Sequence, residues 1–486
     1  MPEPVPGPRR RTPARPAAAR APRPPRLTHA VRRGARRVDA ATPASRDRAV
    51  DALRALAILG VVLGHWLVTA LVPQDGALHT ASPLRHLPWL APVSWVFQTL
   101  AVFFLVGGHV ATRSLASART RGLTYGAWLR SRLARLLRPV LALLALWTAA
   151  AAALLLSGVP FATLHTLLKL ALSPLWFLLV FAALTAATPL LVRLSPLWPL
   201  AVVLHVDILR FGLHTGPSWL GWVNVAAGWL VPYTLGAAWT RGELDGRHAA
   251  RLLLLGGTAA TVLLVTCAGY PASMVGVPGA PVSNLNPPTL AAVTFGLAQC
   301  GLALLLRDRL RRAMRRPLAW AAVALVNLSA MTVFLWHQTA LMTTTVAALA
   351  AGRLPGLHTR PDGLDWVAAR LLWLPVFTAV LALYWAVFRS CEQGTGRRPA
   401  RGGSAGRSRV VRVHRAADRG AAGAAHRTHR PLGPVVNFPS ALRCHARTLA
   451  APGPDPSTPS TRARARHAES THLTPQGPPS GRTTGM

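Results

Sequence analysis

Ten apolar runs, each long enough to cross a bilayer as a helix, restrict what this chain can fold into. They lie at about 50–72, 90–112, 136–157, 174–193, 197–213, 219–240, 250–270, 289–306, 318–349 and 366–388. A helix rises about 1.5 Å per residue, so roughly 20 residues cross about 30 Å of hydrocarbon. The runs lack the alternating pattern of barrel strands, and backbone groups in lipid must be paired within their own segment. The sequence therefore predicts an all-α, polytopic membrane helix bundle with about ten transmembrane helices.

Charge is distributed very unevenly along the 486 residues, which carry a net charge of +39. The apolar middle is almost free of charge, and the basic residues lie in the two ends and in a few short loops. The ends lack hydrophobic periodicity and cannot bury enough apolar surface to offset the entropy of ordering. We expect a disordered basic N-terminal tail at 1–47, a transmembrane domain at 48–389, and a disordered basic low-complexity C-terminal tail at 390–486.

The basic loops predict an orientation in the membrane. Six arginines lie between the second and third runs, a seventh, Arg138, lies at the start of the third run, and six lie between the eighth and ninth, whereas residues 271–288 carry no charge. Cytoplasmic loops of membrane proteins are enriched in Arg and Lys, so both termini are predicted to be cytoplasmic. The arginines flank apolar runs instead of lining a soluble domain. The expected partner is therefore the lipid bilayer, and nucleic acid is not expected.

The first apolar run carries ionisable residues that are costly in lipid. His65 follows Arg54 by eleven residues, about three helical turns, so both side chains leave one helix face about 16 Å apart. Asp51 lies three residues before Arg54 and can pair with it. Ile58 and Val61 share this face, which predicts an apolar groove with a cation at one end and an imidazole deep in the membrane. Two simpler interpretations stay open: a snorkelling Arg54, and a His65 that only hydrogen-bonds a neighbouring helix.

The ninth run carries a second imidazole at a similar depth. Asn327, Ser329 and His337 lie within it. Both histidine-bearing runs are predicted to cross in the same direction, and His65 and His337 then lie in the same half of the bilayer. This predicts a shared polar cavity, with Asp51 and Asn327 in supporting roles. The alternative is that each histidine is satisfied independently.

Several motifs, in order along the chain, resemble those of the acyltransferase-3 family of bacterial membrane O-acyltransferases. The resemblance covers about residues 46–388. It rests on the Arg–ten residues–His spacing of Arg54 and His65, FFLVGGH at 103–109, RSRLARLLRP at 130–139 with Arg132 and Arg135, SPLWFLLVF at 173–181, and MTVFLWHQTAL at 331–341. His109 departs from the family pattern, and its role stays open.

The resemblance implies an enzyme that moves an acyl group, by default acetyl, from acyl-CoA to a hydroxyl. The acceptor would be a carbohydrate, a lipid-linked glycan or a secondary metabolite, and the location the bacterial plasma membrane. His65 and His337 would be catalytic, with His65 as general base. Arg54, Arg132 and Arg135 would bind the donor phosphates, because guanidinium groups suit phosphate oxygens. No metal is expected.

The alternative class is a multi-span transporter or exporter of a small polar molecule. A polar cavity between helices would serve a substrate pathway equally well. The sequence shows no internal repeat and no matched pair of broken helices, and this favours the enzyme.

Overall fold

The computed structural model describes residues 26–393, with side chains from 29 to 389. The predicted C-terminal tail, apart from its first few residues, and residues 1–25 of the N-terminal tail lie outside this range. The helices are α1 (Arg26–Ala40), α2 (Arg48–Val68), α3 (Pro83–His86), α4 (Ala91–Ser94), α5 (Leu100–Thr120), α6 (Tyr125–Leu156), α7 (Phe161–Ala186), α8 (Thr188–Leu191), α9 (Leu197–Asp207), α10 (Val223–Thr240), α11 (Arg247–Cys267), α12 (Leu290–Ala313), α13 (Pro317–Leu328), α14 (Ala330–Ala348) and α15 (Leu364–Gln393). The two strands are β1 (Ala70–Gln74) and β2 (Ala77–Ala81).

The predicted all-α bundle is confirmed, since each of the ten apolar runs lies mainly in helix. Within the described residues, seven helical segments are long and apolar enough to cross a bilayer: α2, Pro88–Thr120, α6, α7, α11, α12 and α15. The pair α13–α14 makes an eighth if it is one span. The other two predicted runs are α9, which continues into a π-helical turn at Ile208–Gly212, and the 18-residue α10.

The ninth run, which the sequence predicts as one long span, is bent. Its helix bends by 73° between α13 and α14. Ser329, at the bend, has φ −106° and ψ 8°, which leaves the helical path. A straight helix over the predicted 32 residues would be about 48 Å long, more than the hydrocarbon core accommodates. The bend also determines where the end of α13 lies relative to α2, and Asn327 occupies that end.

A β-hairpin follows α2, where the sequence predicted that the helix would continue to residue 72. The helix ends at Val68, and β1 pairs antiparallel with β2. Asp75 and Gly76 form the turn with φ values of 51° and 75°. An Asp-Gly turn with two positive φ values is a strong hairpin signal, because its backbone twist matches that of the strands. This signal is present in the sequence, so the hairpin could have been predicted from it.

The predicted N-terminal tail is also partly wrong, because residues 26–40 form α1 instead of a disordered segment. The helix packs against α13. Asp39 forms an ion pair of 2.5 Å with Arg48, and the indole N–H of Trp320 donates to the Thr42 hydroxyl at 2.8 Å. These tertiary contacts order a basic segment whose composition by itself favours disorder.

A pair of glycines allows α5 and α10 to pack backbone against backbone. A Cβ at Gly108 would collide with the Tyr233 carbonyl oxygen, and one at Gly236 would collide with the Leu105 carbonyl oxygen. Small residues at such crossings let membrane helices approach closely. The second glycine of the FFLVGGH motif therefore has a packing role.

The two ends of the bundle differ in character. At one end, which we call the basic end, Arg307 of α12 forms a 3.2 Å ion pair with Asp47 at the start of α2. At the opposite end, which we call the hairpin end, the Leu78 N–H of β2 donates to the Thr163 hydroxyl of α7 at 2.9 Å. Since α2 runs from the first end to the second, His65 lies close to the hairpin end and Arg54 closer to the basic end.

Asp47 should stabilise the basic end in a pH-dependent way. Its carboxylate caps α2 by accepting from the Ala49 and Val50 N–H groups, and it pairs with Arg307. Burial by itself raises the pKa of Asp47, but the hydrogen bonds and the charge of Arg307 outweigh it, so the net pKa is below its ordinary 3.8. We expect D47A to lower the free energy of unfolding by about 1–2 kcal/mol.

The sign of the pH effect follows from this lowered pKa. The contribution of Asp47 is complete above pH 3.8 and is lost as pH falls through the folded-state pKa. Thermal unfolding in detergent, followed by tryptophan fluorescence at several pH values, measures it. D47N keeps a capping oxygen, so its free energy of unfolding should lie between those of wild type and D47A. It should lack the contribution that Asp47 loses at acid pH. Equal stability of all three proteins would contradict the assignment.

Candidate active site

Two imidazole rings from distant parts of the chain meet near the hairpin end. The ring centroids of His65 on α2 and His337 on α14 lie 5.0 Å apart at an interplanar angle of 51°. His337 is fully buried, whereas His65 is partly exposed. The two rings therefore lie together, as a shared cavity requires, and their chemical roles stay predictions.

Each ring is oriented by a carbonyl of its own helix. Nδ1 of His65 lies 2.9 Å from the Val61 carbonyl oxygen, and Nδ1 of His337 lies 2.6 Å from that of Phe334. A carbonyl only accepts, so both Nδ1 atoms carry the proton and both Nε2 atoms offer a lone pair when the rings are neutral. Nε2 of His337 is buried without a hydrogen-bond partner in the described protein. Two imidazolium ions this close would repel each other, so the pair accepts one proton far more readily than two.

Both imidazoles line one cavity of about 510 Å³. The volume is in the range of small-molecule sites. Its walls come from α2, α5, α7, α12 and α14, and from the hairpin end: Thr80 and Ala81 of β2 and the segment around 274–286 contribute to it. Among the other lining residues are the polar and aromatic side chains Gln98, Lys169, Trp176, Trp229, Asn286 and Gln299. A ligand could therefore reach the two rings from the hairpin end.

Arg54 lies in a polar cluster with both predicted supporting residues. Its Nε donates to the Asn327 side-chain oxygen, and its Nη2 lies 3.5 Å from a carboxylate oxygen of Asp51. Asn327 in turn donates to the Asp51 carbonyl oxygen at 2.8 Å. Arg46 holds the other oxygen of the Asp51 carboxylate at 2.6 Å. The bend after α13 brings Asn327 to Arg54, so the guanidinium has a defined position.

The other two predicted donor-binding arginines lie on α6, outside the cavity. Arg132 of α6 is close enough to interact electrostatically with both Arg54 and Arg135. None of the three lines the cavity. The predicted apolar groove from Arg54 to His65 is filled at Ile58, which lies between them, is only 2% exposed and packs in the core. Neighbouring helices fill the space that the first helix by itself leaves open.

The family follows from a comparison with known proteins. A family model for the acyltransferase domain of the acyltransferase-3 family matches residues 47–389, well over half of the chain. The chain belongs to the acyltransferase-3 family. No curated protein and no solved structure matches it significantly. The protein is therefore a membrane acyltransferase that transfers groups other than aminoacyl groups. Both histidines and all three arginines lie within the matched range.

A buried arginine in the acyltransferase supports the His65-bearing helix, and the sequence analysis did not single it out. Arg370 of α15 is fully buried. It donates to the carbonyl oxygens of Trp66 at 2.6 Å, Gly356 at 2.9 Å and Thr69. The Trp66 and Thr69 carbonyls lie at the C-terminal end of α2, where carbonyls lack helical partners and favour a cation. Arg370 is a charged residue inside an apolar run, which was the available signal.

Loss of Arg370 should destabilise the acyltransferase and disturb the orientation of His65. R370Q leaves buried carbonyls without donors, and we expect a loss of about 2 kcal/mol or more in the free energy of unfolding. R370K keeps the charge but has fewer donors, which point in different directions, so its free energy of unfolding should fall by less. Thermal unfolding in detergent measures the effect, and L372Q, at an exposed position on the same helix, controls for an added amide. An R370Q protein as stable as wild type would contradict this role.

His109, whose role the sequence left open, packs at the basic end of the acyltransferase. Its ring stacks on Trp239 with centroids 4.0 Å apart, and its Nδ1 lies 3.0 Å from the Thr240 hydroxyl. It does not line the cavity. Within the described residues, no group of three His, Cys, Asp or Glu side chains could hold a metal ion.

Proposed function

We propose that this acyltransferase moves an acyl group, by default acetyl, from acyl-CoA to a hydroxyl of a carbohydrate, a lipid-linked glycan or a secondary metabolite. The observation that carries the proposal is the imidazole pair, 5.0 Å apart, on one ligand-sized cavity. Acyl transfer needs a base for the hydroxyl proton, and an imidazole titrates near neutral pH.

His65 is the general base in this proposal. Its Nε2 takes the proton of the acceptor hydroxyl, and the hydroxyl oxygen attacks the thioester carbonyl carbon. When the tetrahedral intermediate collapses, the carbon–sulfur bond breaks and the sulfur receives the proton from the imidazolium, which yields the ester and free CoA thiol. His337 supports the acceptor side, since its Nε2 can accept a hydrogen bond from the acceptor or from protonated His65.

The donor binds at the opposite end through Arg54, Arg132 and Arg135. The Arg132 guanidinium lies within electrostatic range of both Arg54 and Arg135, and the phosphates of CoA would relieve the repulsion between these charges. Arg54 and His65 are about 16 Å apart along α2, a span for the extended thioester arm to bridge. Because Ile58 is packed, the arm needs a path beside this face or a small displacement of the neighbouring helices.

The orientation in the membrane follows from the charge pattern. We place the protein in the bacterial plasma membrane with both termini and the basic end in the cytoplasm, because cytoplasmic loops carry the excess of arginine. The donor then enters from the cytoplasm and the acceptor from the hairpin end. Cysteines placed singly at position 76 and at position 309, in a variant whose four native cysteines are replaced by serine, test this in cells with a membrane-impermeant maleimide: only position 76 should react from outside.

Purified full-length protein in nanodiscs, given acetyl-CoA labelled in the acetyl group and an extract of envelope glycans and lipids, tests the function. We expect release of the CoA thiol and the appearance of label in an ester that mild alkali cleaves. Empty nanodiscs are the control. If no label is transferred and no thiol is released, the proposal is wrong. Uptake of a solute by sealed vesicles in that case would favour the transporter, whose structural support is the broken span at Ser329.

A further inference from the structure

The cavity at the hairpin end has an unbalanced charge. Among its lining residues the ionisable ones are Lys169, His65 and His337, and no Asp or Glu is among them. Lys169 has no ion pair or hydrogen bond within the described part of the chain. A cationic group without a counter-charge therefore lines the same cavity as the two imidazoles.

Lys169 lies on the face of α7 that forms the cavity wall. Ser173, Trp176 and Phe177, which follow it by four, seven and eight residues, line the cavity as well. Residues at this spacing share one helix face. Lys169 is eight residues into α7, about 12 Å along the axis from its start. Charged residues that far into a membrane helix usually face a water-filled cavity and serve a function.

The identity of this residue is unusual for the chain. Lys169 is its single lysine, against 53 arginines. A lysine ammonium is a compact charge with three donors on a flexible stem, whereas arginine is a planar fork. The one position with lysine is thus the cavity wall, where a mobile point charge can follow an anionic group.

Other lining residues have polar atoms that lack partners. The Gln299 side-chain oxygen, the Trp229 indole N–H and Nε2 of His337 are buried without hydrogen-bond partners in the described protein. Buried polar groups in proteins are normally hydrogen-bonded. Small rotations of these side chains would present one donor and two acceptors to a ligand with hydroxyl groups, which both donate and accept.

We propose that the acceptor is a hydroxylated molecule that carries a carboxylate or a phosphate, and that Lys169 binds this anionic group while a hydroxyl faces His65. The inference rests on the proposed function, because it assigns the cavity to the acceptor. Lys169 is then a specificity-determining residue.

The single lysine allows a test that does not depend on activity. Reductive methylation with ¹³C-formaldehyde labels Lys169 and the N-terminal amine, keeps their charge, and gives one NMR signal for each; K169R identifies the first signal by its loss. The labelled protein in nanodiscs is titrated with methyl glucuronide and glycerol 1-phosphate. Their neutral counterparts, methyl glucoside and glycerol, are added at matched ionic strength. Nanodiscs of phosphatidylglycerol and of phosphatidylcholine separate a lipid headgroup from a soluble anion.

We expect a saturable shift of the Lys169 signal with the anionic probes, or in phosphatidylglycerol nanodiscs, and no shift of the N-terminal signal. No shift with any anion, or the same shift with the neutral probes, overturns the inference. A saturable anion-dependent shift in a protein that transfers no acyl group would keep the anion site and overturn the proposed function. Equal acyl transfer to charged and neutral acceptors, with no shift of the Lys169 signal, would keep the proposed function and overturn the anion site.

Transfer assays give a second measurement. The ratio of acetyl transfer to methyl glucuronide over methyl glucoside should fall about tenfold in K169Q, since a hydrogen bond to a charged group is lost. K169R should keep most of the preference. R360Q removes an exposed cation from the segment before α15 that does not line the cavity, and it should keep the wild-type ratio. An unchanged ratio in K169Q would overturn the assignment.

Discussion

Replacing His65 with alanine should lower acyl transfer by a factor of about 10²–10⁴, the usual contribution of a positioned general base. The Nε2 lone pair is the group lost, because Nδ1 is already bonded to the Val61 carbonyl oxygen. The apparent KM for acetyl-CoA should change little, since the predicted donor-binding arginines lie near the other end of α2. H65Q, which keeps the volume and a donor but no basic nitrogen, should be as inactive as H65A.

The measurement is the rate of thiol release and label transfer by purified variants in nanodiscs. Protein level, membrane insertion and thermal unfolding should match wild type, because His65 is partly exposed to the cavity. H337Q is the informative partner: if His337 only supports the acceptor, it should raise the KM for the acceptor more than it lowers kcat. Wild-type turnover by H65A would exclude His65 as the base. A larger loss of kcat in H337Q than in H65A would make His337 the base and His65 the supporting residue.

Neutralising the arginine cluster should weaken donor binding by about tenfold for each hydrogen-bonded arginine–phosphate pair that is removed. R132Q and R54Q should each raise the apparent KM for acetyl-CoA, and the triple change with R135Q should raise it by about 100-fold or more. Arg54 also bonds Asn327, so R54K, which keeps the charge, separates lost phosphate binding from lost packing.

A truncated donor makes this test sharper. Acetyl-pantetheine has the thioester arm without the phosphates, so wild type and the arginine variants should use it with the same, low efficiency. R309Q, at an exposed arginine on α12 near the basic end, is the matched control and should leave the KM for acetyl-CoA unchanged. If the variants lose as much efficiency with acetyl-pantetheine as with acetyl-CoA, these arginines do not bind phosphate.

The sequence predicted the imidazole pair well because helix geometry is regular. A repeat of 100° per residue sets which side chains share a face, and hydrophobic length sets depth. The level of His65 follows from its place on one unbroken helix, whereas the level of His337 also depends on the 73° bend before α14. Lys169, Gln299 and Trp229 were not predicted as cavity residues, because the local sequence does not determine which helices become neighbours in the bundle. Lys169 did carry a signal, as a lone charge within an apolar run.

Two features of the structure differ from what single helices predict. The break at Ser329 depends on how α13 and α14 pack around α2, and a run of apolar residues looks alike whether it is straight or bent. The groove from Arg54 to His65 was derived from one isolated helix. In the bundle, Ile58 is buried among its neighbours, so the apolar stripe is a packing surface.

The sequence by itself determined the all-helical membrane architecture and the family motifs, because the first depends on hydropathy and the second on residue order. Only the tertiary structure decided that the two imidazoles meet at 5.0 Å, that Arg370 caps the helix of His65, and that Lys169, which has no ion pair within the described residues, lines a cavity at the hairpin end. The reason is that these features are contacts between helices far apart in the chain, and side-chain packing, which acts only when the bundle forms, selects them.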